Sequence, residues 1–69
     1  IEFSLNTASG VKLTVYDILG QEVARLVDGY KPMGSHKIQW RANAMPSGIY
    51  YYRLEADGIS KTHKMVLMK

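Results

Sequence analysis

Side chains that could perform chemistry are few and scattered in this chain of 69 residues. His36 and His63 are the two histidines and there is no cysteine, whereas a zinc site normally takes three or four such ligands. Ser35 and His36 lie near Asp28, but adjacent strand residues point to opposite faces of a sheet, which separates a nucleophile from its base. The residue types therefore favour two surface histidines over a metal centre or a nucleophilic site.

Carboxylates and glycines offer no better candidate for catalysis. The carboxylates fall in turns or at solvent-facing strand positions, and nothing predicts a cleft that would hold a sugar between two of them. The glycines match no phosphate-binding pattern and stand where β-turns favour glycine. We therefore expect no enzymatic activity and no cofactor. The carboxylates considered are Asp17, Glu22, Asp28, Glu55 and Asp57.

Aromatic residues form the densest cluster of side chains with binding potential. Tyr50, Tyr51 and Tyr52 follow one another, and Trp40 precedes them. Such rings stack on sugars or on nucleic-acid bases in several β-proteins. In a strand Tyr50 and Tyr52 share one face, so packing with Trp40 is the favoured interpretation and Tyr51 is the exposed ring. Ligand stacking, as in a carbohydrate-binding module, stays open as an alternative.

Charge and length limit the kind of partner and the number of domains. Nine Lys and Arg against six Asp and Glu leave a net charge of +3, but the cations are spread along the chain, so we expect no nucleic-acid partner. The longest apolar run, 49–52, is too short to insert into a bilayer. Because the chain begins on a strand pattern without Met, we expect residues 1–69 to be a single domain cut from a larger secreted protein.

The elements that must position these side chains are short strands. Alternation of apolar and polar residues predicts strands at 1–5, 11–16, 21–27, 36–42, 49–56 and 59–69, separated by turns. Residues 17–20 form a tight connection ending on Gly20, residues 29–35 form a loop, and Asp57 with Gly58 is the strongest hairpin signal. The prediction is an all-β fold, an antiparallel sandwich or small barrel; if a sandwich has seven strands, the missing one precedes Ile1.

The last predicted strand combines basic and apolar residues. Lys61, His63, Lys64 and Lys69 surround an apolar stretch at 65–68, and the alternation leaves the inward face of this strand ambiguous. One interpretation is an edge strand that lysines protect from edge-to-edge pairing. The other is an extended terminal segment that another protein binds by strand addition.

The order of the motifs adds a family resemblance. Residues 15–23 have the sequence VYDILGQEV, Gly34-Ser35-His36 leads to Trp40, residues 46–54 have the sequence PSGIYYYRL, and residues 64–69 have the sequence KMVLMK. Together they resemble the type A C-terminal sorting domain of the type IX (Por) secretion system, which Bacteroidetes and related bacteria place on proteins exported across the outer membrane. The resemblance covers essentially the whole chain, although the Asn-Pro-rich approach and first strand usual in the family are absent.

That resemblance implies a fold and a role. The fold is an Ig-like antiparallel β-sandwich of six to seven short strands, with Asp17, Gly20, Gly34 and Gly58 as structural turn residues. The partners are the outer-membrane translocon, a surface sortase-like peptidase and the upstream cargo domain of the same chain, and the destination is the cell surface or the medium. A carbohydrate-binding or structural Ig-like accessory module of a secreted hydrolase is the alternative. The residues expected to carry translocon recognition are Gly48, Tyr50, Lys61, Lys64, Met65, Val66 and Lys69.

Overall fold

Strands and turns make up the fold of the described residues, 1–41 and 45–68, in a computed structural model. Within these ranges there is no helix, and so none that could cross a membrane. The predicted all-β class is confirmed. The six strands are β1 (Glu2–Leu5), β2 (Ser9–Tyr16), β3 (Glu22–Lys31), β4 (Gly34–Lys37), β5 (Gly48–Ala56) and β6 (Ile59–Leu67).

The strands form two antiparallel sheets that pack as a small β-sandwich, as predicted. The larger sheet has the order β3-β2-β5-β6, so β2 and β5 are central while β3 and β6 are its edges. The smaller sheet pairs β1 with β4 and covers one face of the larger sheet. Adjacent strands in sequence, β2 with β3 and β5 with β6, are hairpins, whereas β2 and β5 are brought together across the fold.

The core lies between the two sheets and centres on β2. Leu13 and Val15 are fully buried on the inner face of that strand, and Val11 is nearly so. Leu5 of β1 completes the cluster from the small sheet, and Val27 of β3 lies beside Leu13 within the larger sheet. No β6 residue belongs to this buried cluster or to the apolar side chains packed against it, among the residues that are described. The core therefore depends on the central strands and not on the last one.

Thr14 is buried, although the alternation in β2 predicts it on the same polar face as Lys12 and Tyr16. Its cross-strand neighbours are Arg25 of β3 and Arg53 of β5, two long side chains that flank a small one on a central strand. The pattern identified the inner face correctly. It did not show that neighbouring strands would cover the outer one.

The bounds of β3 and β4 differ from the predicted loop at 29–35 and strand at 36–42. β3 continues to Lys31 because β2 begins at Ser9 and supplies a partner that far. β4 begins at Gly34 and ends at Lys37, which lies opposite Glu2, the first residue of its partner β1. Ile1 and Ile38 extend the pairing by two backbone hydrogen bonds of 2.9 and 2.7 Å. Residue 42, the last of the predicted strand, lies outside the described ranges.

The two edges of the larger sheet differ in regularity. The pairing of β3 with β2 shifts register twice, between Leu13 and Thr14 and between Val15 and Tyr16. β6 pairs with β5 without a shift along its whole length, from Ile59 opposite Ala56 to Leu67 opposite Gly48. Bulges disturb an edge and discourage further pairing, so β6 is the regular edge of this sheet.

Candidate functional site

The hairpin of β5 and β6 positions most of the residues predicted to carry recognition. Asp57 and Gly58 connect the strands with φ values of 52° and 74°. Positive φ at both central residues defines a type I′ turn, whose twist matches that of the strands it joins. The predicted two-residue hairpin is confirmed, and it determines which β6 residue faces which β5 residue.

This register resolves the ambiguous faces of β6. Lys61, His63 and Met65 lie opposite Leu54, Tyr52 and Tyr50, on the side that faces the small sheet. Lys64 and Val66 lie opposite Tyr51 and Ile49, on the outer side of the sandwich. The predicted recognition residues of β6 are therefore divided between two faces. Lys69, the last residue predicted, lies outside the described ranges.

Tyr50 is a buried support of the hairpin, with only 4% of its surface exposed. Its hydroxyl donates a hydrogen bond of 2.7 Å to the carbonyl of Pro46, and its ring meets Trp40 edge-on at 5.3 Å. The predicted packing of Tyr50 with Trp40 is confirmed. Gly48, with φ 153°, begins β5 directly opposite Leu67 of β6. Both residues thus affect the end of β6 indirectly, through its neighbouring strand β5.

The two histidines lie on different sheets. His63 stacks on Tyr52, its cross-strand partner, with ring centroids 5.3 Å apart. His36 stacks on Phe3 of β1 at 5.2 Å, and its Nε2 lies 2.8 Å from the carbonyl oxygen of Pro32. Residues 1–41 and 45–68 contain no group of three or more potential metal ligands. Each ring packs as part of a cross-strand pair.

β6 carries two exposed lysines, Lys61 and Lys64. Arg25 of β3 binds Glu22 at 3.2 Å and Asp28 at 3.3 Å, and hydrogen bonding to Glu22 raises the pKa of its guanidinium. Lys61 and Lys64, by contrast, are exposed and form no ion pair within the described part of the chain. Their charges remain available to a partner.

Exposed apolar side chains accompany these cations at the C-terminal end of β6. Val66 is 61% exposed and Met68 is 84% exposed. Ile49 stands directly opposite Val66 on the outer face and is also exposed. Ile49 was not among the predicted recognition residues. The alternation left the inward face of β6 ambiguous, so the sequence did not show that Ile49 would lie opposite Val66.

Gly58 lies in the β5–β6 turn, whereas the other three predicted turn residues lie outside this hairpin. Asp17 Oδ1 accepts hydrogen bonds of 2.9 Å from the backbone N–H groups of both Leu19 and Gln21. Gly20 has φ 84°, a left-handed conformation that costs a residue with a Cβ atom. Gly34, with φ 125°, begins β4.

Comparison with known proteins identifies the family of this chain. A family model described as the secretion system C-terminal sorting domain matches residues 1–68. No curated protein matches the chain, and no solved structure does. The match covers all six strands, including the edge strand and both hairpin turns. The chain therefore belongs to the family of type IX secretion C-terminal sorting domains.

Proposed function

We propose that this domain directs an upstream cargo protein through the type IX outer-membrane translocon, for release or for attachment at the cell surface, and that the translocon recognises β6. Membership of the sorting-domain family establishes the coarser role, a sorting signal for secretion through the outer membrane. The proposal adds which strand is bound and how.

A single observation carries the proposal: β6 is the regular edge of the larger sheet, and none of its residues belongs to the buried core formed by the described part of the chain. An edge strand keeps one row of backbone N–H and C=O groups without a partner strand, and a partner protein can pair with that row. The other edge, β3, carries two register shifts and the ion pairs of Arg25. Strand addition is therefore supported at β6 and discouraged at β3.

Binding by strand addition also accounts for recognition residues on both faces. A partner strand beside β6 has side chains on either side of the sheet, so it reaches Lys64 and Val66 on the outer face and Lys61 and Met65 on the inner face. Gly48 and Tyr50 support recognition by holding β5 in place. The family resemblance adds Lys69 to the same basic segment. The proposed partner has carboxylates beside an apolar strand.

The cargo and the peptidase complete the proposal. Residues 1–69 are the C-terminal module of a larger exported protein, and a surface sortase-like peptidase cuts upstream of the module and joins the released cargo to the cell surface. The role needs no chemistry from the module itself. It needs a stable sheet, an accessible edge and a connection to cargo on its N-terminal side.

The test is surface delivery of a reporter that carries residues 1–69 at its C-terminus, in a bacterium with the secretion system. Substituting Lys64→Ala, Met65→Ala and Val66→Ala together should leave the reporter in the periplasm, because the variant removes one cation and two apolar contacts from the bound strand. Matched substitutions at Lys31 and Met33, near the opposite end of the sheet, should leave delivery unchanged.

The β6 variant and the control variant of the fusion should both unfold at the same temperature as the parent fusion. Equal unfolding temperatures show that a loss of delivery is a recognition defect and not a folding defect. Unchanged export of the β6 variant would contradict the proposal.

Calorimetry distinguishes the sorting role from the carbohydrate-binding alternative. It depended on Trp40 and the tyrosines, but Trp40 packs against the buried Tyr50. Titration of the fusion with polysaccharides should therefore produce no heat of binding. Measurable heat that is lost on Tyr51→Ala would favour a ligand module.

A further inference from the structure

The turn that joins β2 to β3 exposes two large aliphatic side chains. Ile18 is 65% exposed and Leu19 is 80% exposed. The backbone of this turn is held by Asp17 Oδ1, by the Asp17–Gln21 and Gly20–Asp17 backbone hydrogen bonds, and by the left-handed Gly20. Neither aliphatic side chain takes part in these bonds. Turn positions of this kind usually carry polar residues, so two exposed aliphatics point to a partner rather than to a requirement of the fold.

Ile18 also lines a groove on the outer face of the larger sheet. The groove has a volume of about 220 Å³ and continues from the turn across the middle strands. The guanidinium of Arg53 lies 5.2 Å from the centre of the Tyr16 ring, on one wall of the groove. Asp17, Gly20, Tyr51 and Thr62 also line the groove. Apolar, aromatic and cationic groups thus meet in one place.

Strand register connects this groove with the β6 edge. Tyr16 lies opposite Tyr51, and Tyr51 lies opposite Lys64. Two residues further along β5 and β6, Ile49 lies opposite Val66. The groove and the exposed end of β6 therefore occupy the same end of the same face of the sandwich, with Lys64 between them.

We propose that the 17–20 turn and this groove form a second docking surface for the secretion machinery, one that binds a protein segment with an apolar side chain beside a carboxylate. The inference rests on the proposed function. Ile18 and Leu19 supply the apolar contact, and Arg53 and Lys64 supply the charge that a carboxylate complements. This surface extends recognition from the last strand to a turn some forty residues earlier in the sequence.

Charge complementarity favours an acidic partner. The nearest carboxylates are already engaged: Asp17 Oδ1 accepts two backbone N–H groups, and Glu22 binds Arg25. Glu55 forms an ion pair with Arg53, with 3.6 Å between Oε1 and Nη1, and such an exposed pair is weak. Lys64 forms no ion pair within residues 1–41 and 45–68, so its ammonium is available to a carboxylate from outside, and the guanidinium of Arg53 has further N–H donors beside it.

Other occupants fit the surface less well. A second copy docked through a two-fold axis would bring this patch against itself and place Arg53 and Lys64 near their own copies, where like charges repel. A sugar would need a free aromatic face, and the Arg53 guanidinium covers Tyr16. An acidic protein segment meets neither obstacle.

The experiment compares two variants of the same reporter fusion. Ile18→Asn with Leu19→Asn should reduce the rate of surface delivery about tenfold, because two apolar contacts are lost at the centre of the surface. Tyr30→Asn with Met33→Asn replaces two equally exposed apolar residues at the opposite end of the sheet and should leave the rate unchanged. Arg53→Gln, which leaves the turn intact, should reduce the rate to an intermediate value, so a folding defect in the turn variant does not decide the outcome.

Failure of this inference is distinguishable from failure of the proposed function. If the β6 variant at 64–66 abolishes delivery while the turn variant and Arg53→Gln deliver normally, the second surface is overturned and β6 recognition stands. If the β6 variant also delivers normally, both fail. The parent fusion is also tested for self-association and for polysaccharide binding. If it shows either and the turn variant does not, the surface has another occupant and the inference is overturned.

Discussion

Tyr50, which the proposal includes among the recognition residues, is buried and not exposed to a partner. Its hydroxyl reaches the carbonyl of Pro46 at 2.7 Å and its ring contacts Trp40, so it anchors the segment that leads into β5. Met65, predicted as a contact residue, lies directly opposite Tyr50. A change at Tyr50 therefore reaches β6 through the shape of the hairpin.

Removing the Tyr50 hydroxyl tests this anchoring role. Tyr50→Phe should lower the free energy of unfolding by about 1 kcal/mol, since the partly buried Pro46 carbonyl loses its donor. A domain of this size would then melt about 4–8 °C lower in a thermal scan. Tyr30→Phe, at an exposed ring with no such bond, should melt like the parent. Equal melting of Tyr50→Phe and the parent would contradict the role.

For single residues, the sequence predicted which side chains pack together better than it predicted which outer-face side chains neighbouring strands would bury. Because Tyr50 and Tyr52 alternate with Tyr51, the pattern alone placed Tyr50 against Trp40, and the structure agrees. It also predicted Tyr51 as the exposed ring, but Tyr51 is half-buried on the outer face. As with Thr14, neighbouring strands cover the residue. Such coverage depends on strand order, which no local pattern contains.

Among the elements, the β5–β6 hairpin depends most directly on its turn. Asp57 and Gly58 both adopt positive φ, and each β6 residue from Ile59 to Leu67 has one partner in β5. A weakened turn would allow register to slip, and a slip of one residue would move Lys64 and Val66 to the inner face. The geometry of the turn therefore protects the pattern that β6 presents.

Gly58→Ala measures how much the turn contributes. At φ 74° an added Cβ meets no other group, so the cost comes from the left-handed backbone itself, about 1 kcal/mol in the free energy of unfolding. Gly10→Ala is the matched control, because Gly10 is a strand glycine with open space and no left-handed φ. Urea unfolding of the two variants should differ by that amount. Equal midpoints would show that the turn adopts another conformation in solution.

Element existence followed from local pattern, whereas element bounds followed from pairing. Asp57 and Gly58 predicted a hairpin between two runs of alternating apolar and polar residues, and that hairpin is present. The bounds of β3 and β4 depended instead on where β2 and β1 offer partners. The register shifts in β3 have no signal in the sequence, because they arise from fitting ten residues of β3 against eight of β2. The contrast between a bulged and a regular edge, which carries the proposed site, was therefore visible only in the structure.

Across the whole molecule, the net charge of +3 matters through its placement. Arg25, Lys37 and Arg53 form ion pairs, whereas Lys61 and Lys64 of β6 form none within residues 1–41 and 45–68. Charge on a protein surface steers a partner of opposite sign and is screened by salt. The β6 edge therefore carries two cations that can attract a partner of opposite sign.

Salt dependence checks this placement. Binding of the purified fusion to outer-membrane vesicles that contain the translocon should weaken as NaCl rises, since the Debye length falls from about 10 Å at 0.1 M to about 3 Å at 1 M. Lys64→Gln should lower the affinity at low salt and flatten the salt dependence. Lys12→Gln is the control, because Lys12 lies on the central strand β2, opposite Asp28 and Glu55, and away from the β6 edge. Identical salt curves for Lys64→Gln and the parent would contradict the assignment.

The position of β6 also determines how the domain responds to mechanical force. β6 pairs with β5 alone, and no β6 residue belongs to the described core. A pull on its C-terminal end would load the pair of Leu67 and Gly48 first and then each following pair in turn, as a zipper opens, instead of loading all pairs at once. Peeling of this kind needs far less force than shearing a strand out lengthwise. A motor that grips the tail could therefore draw out an extended strand while the sheets around β2 stay folded.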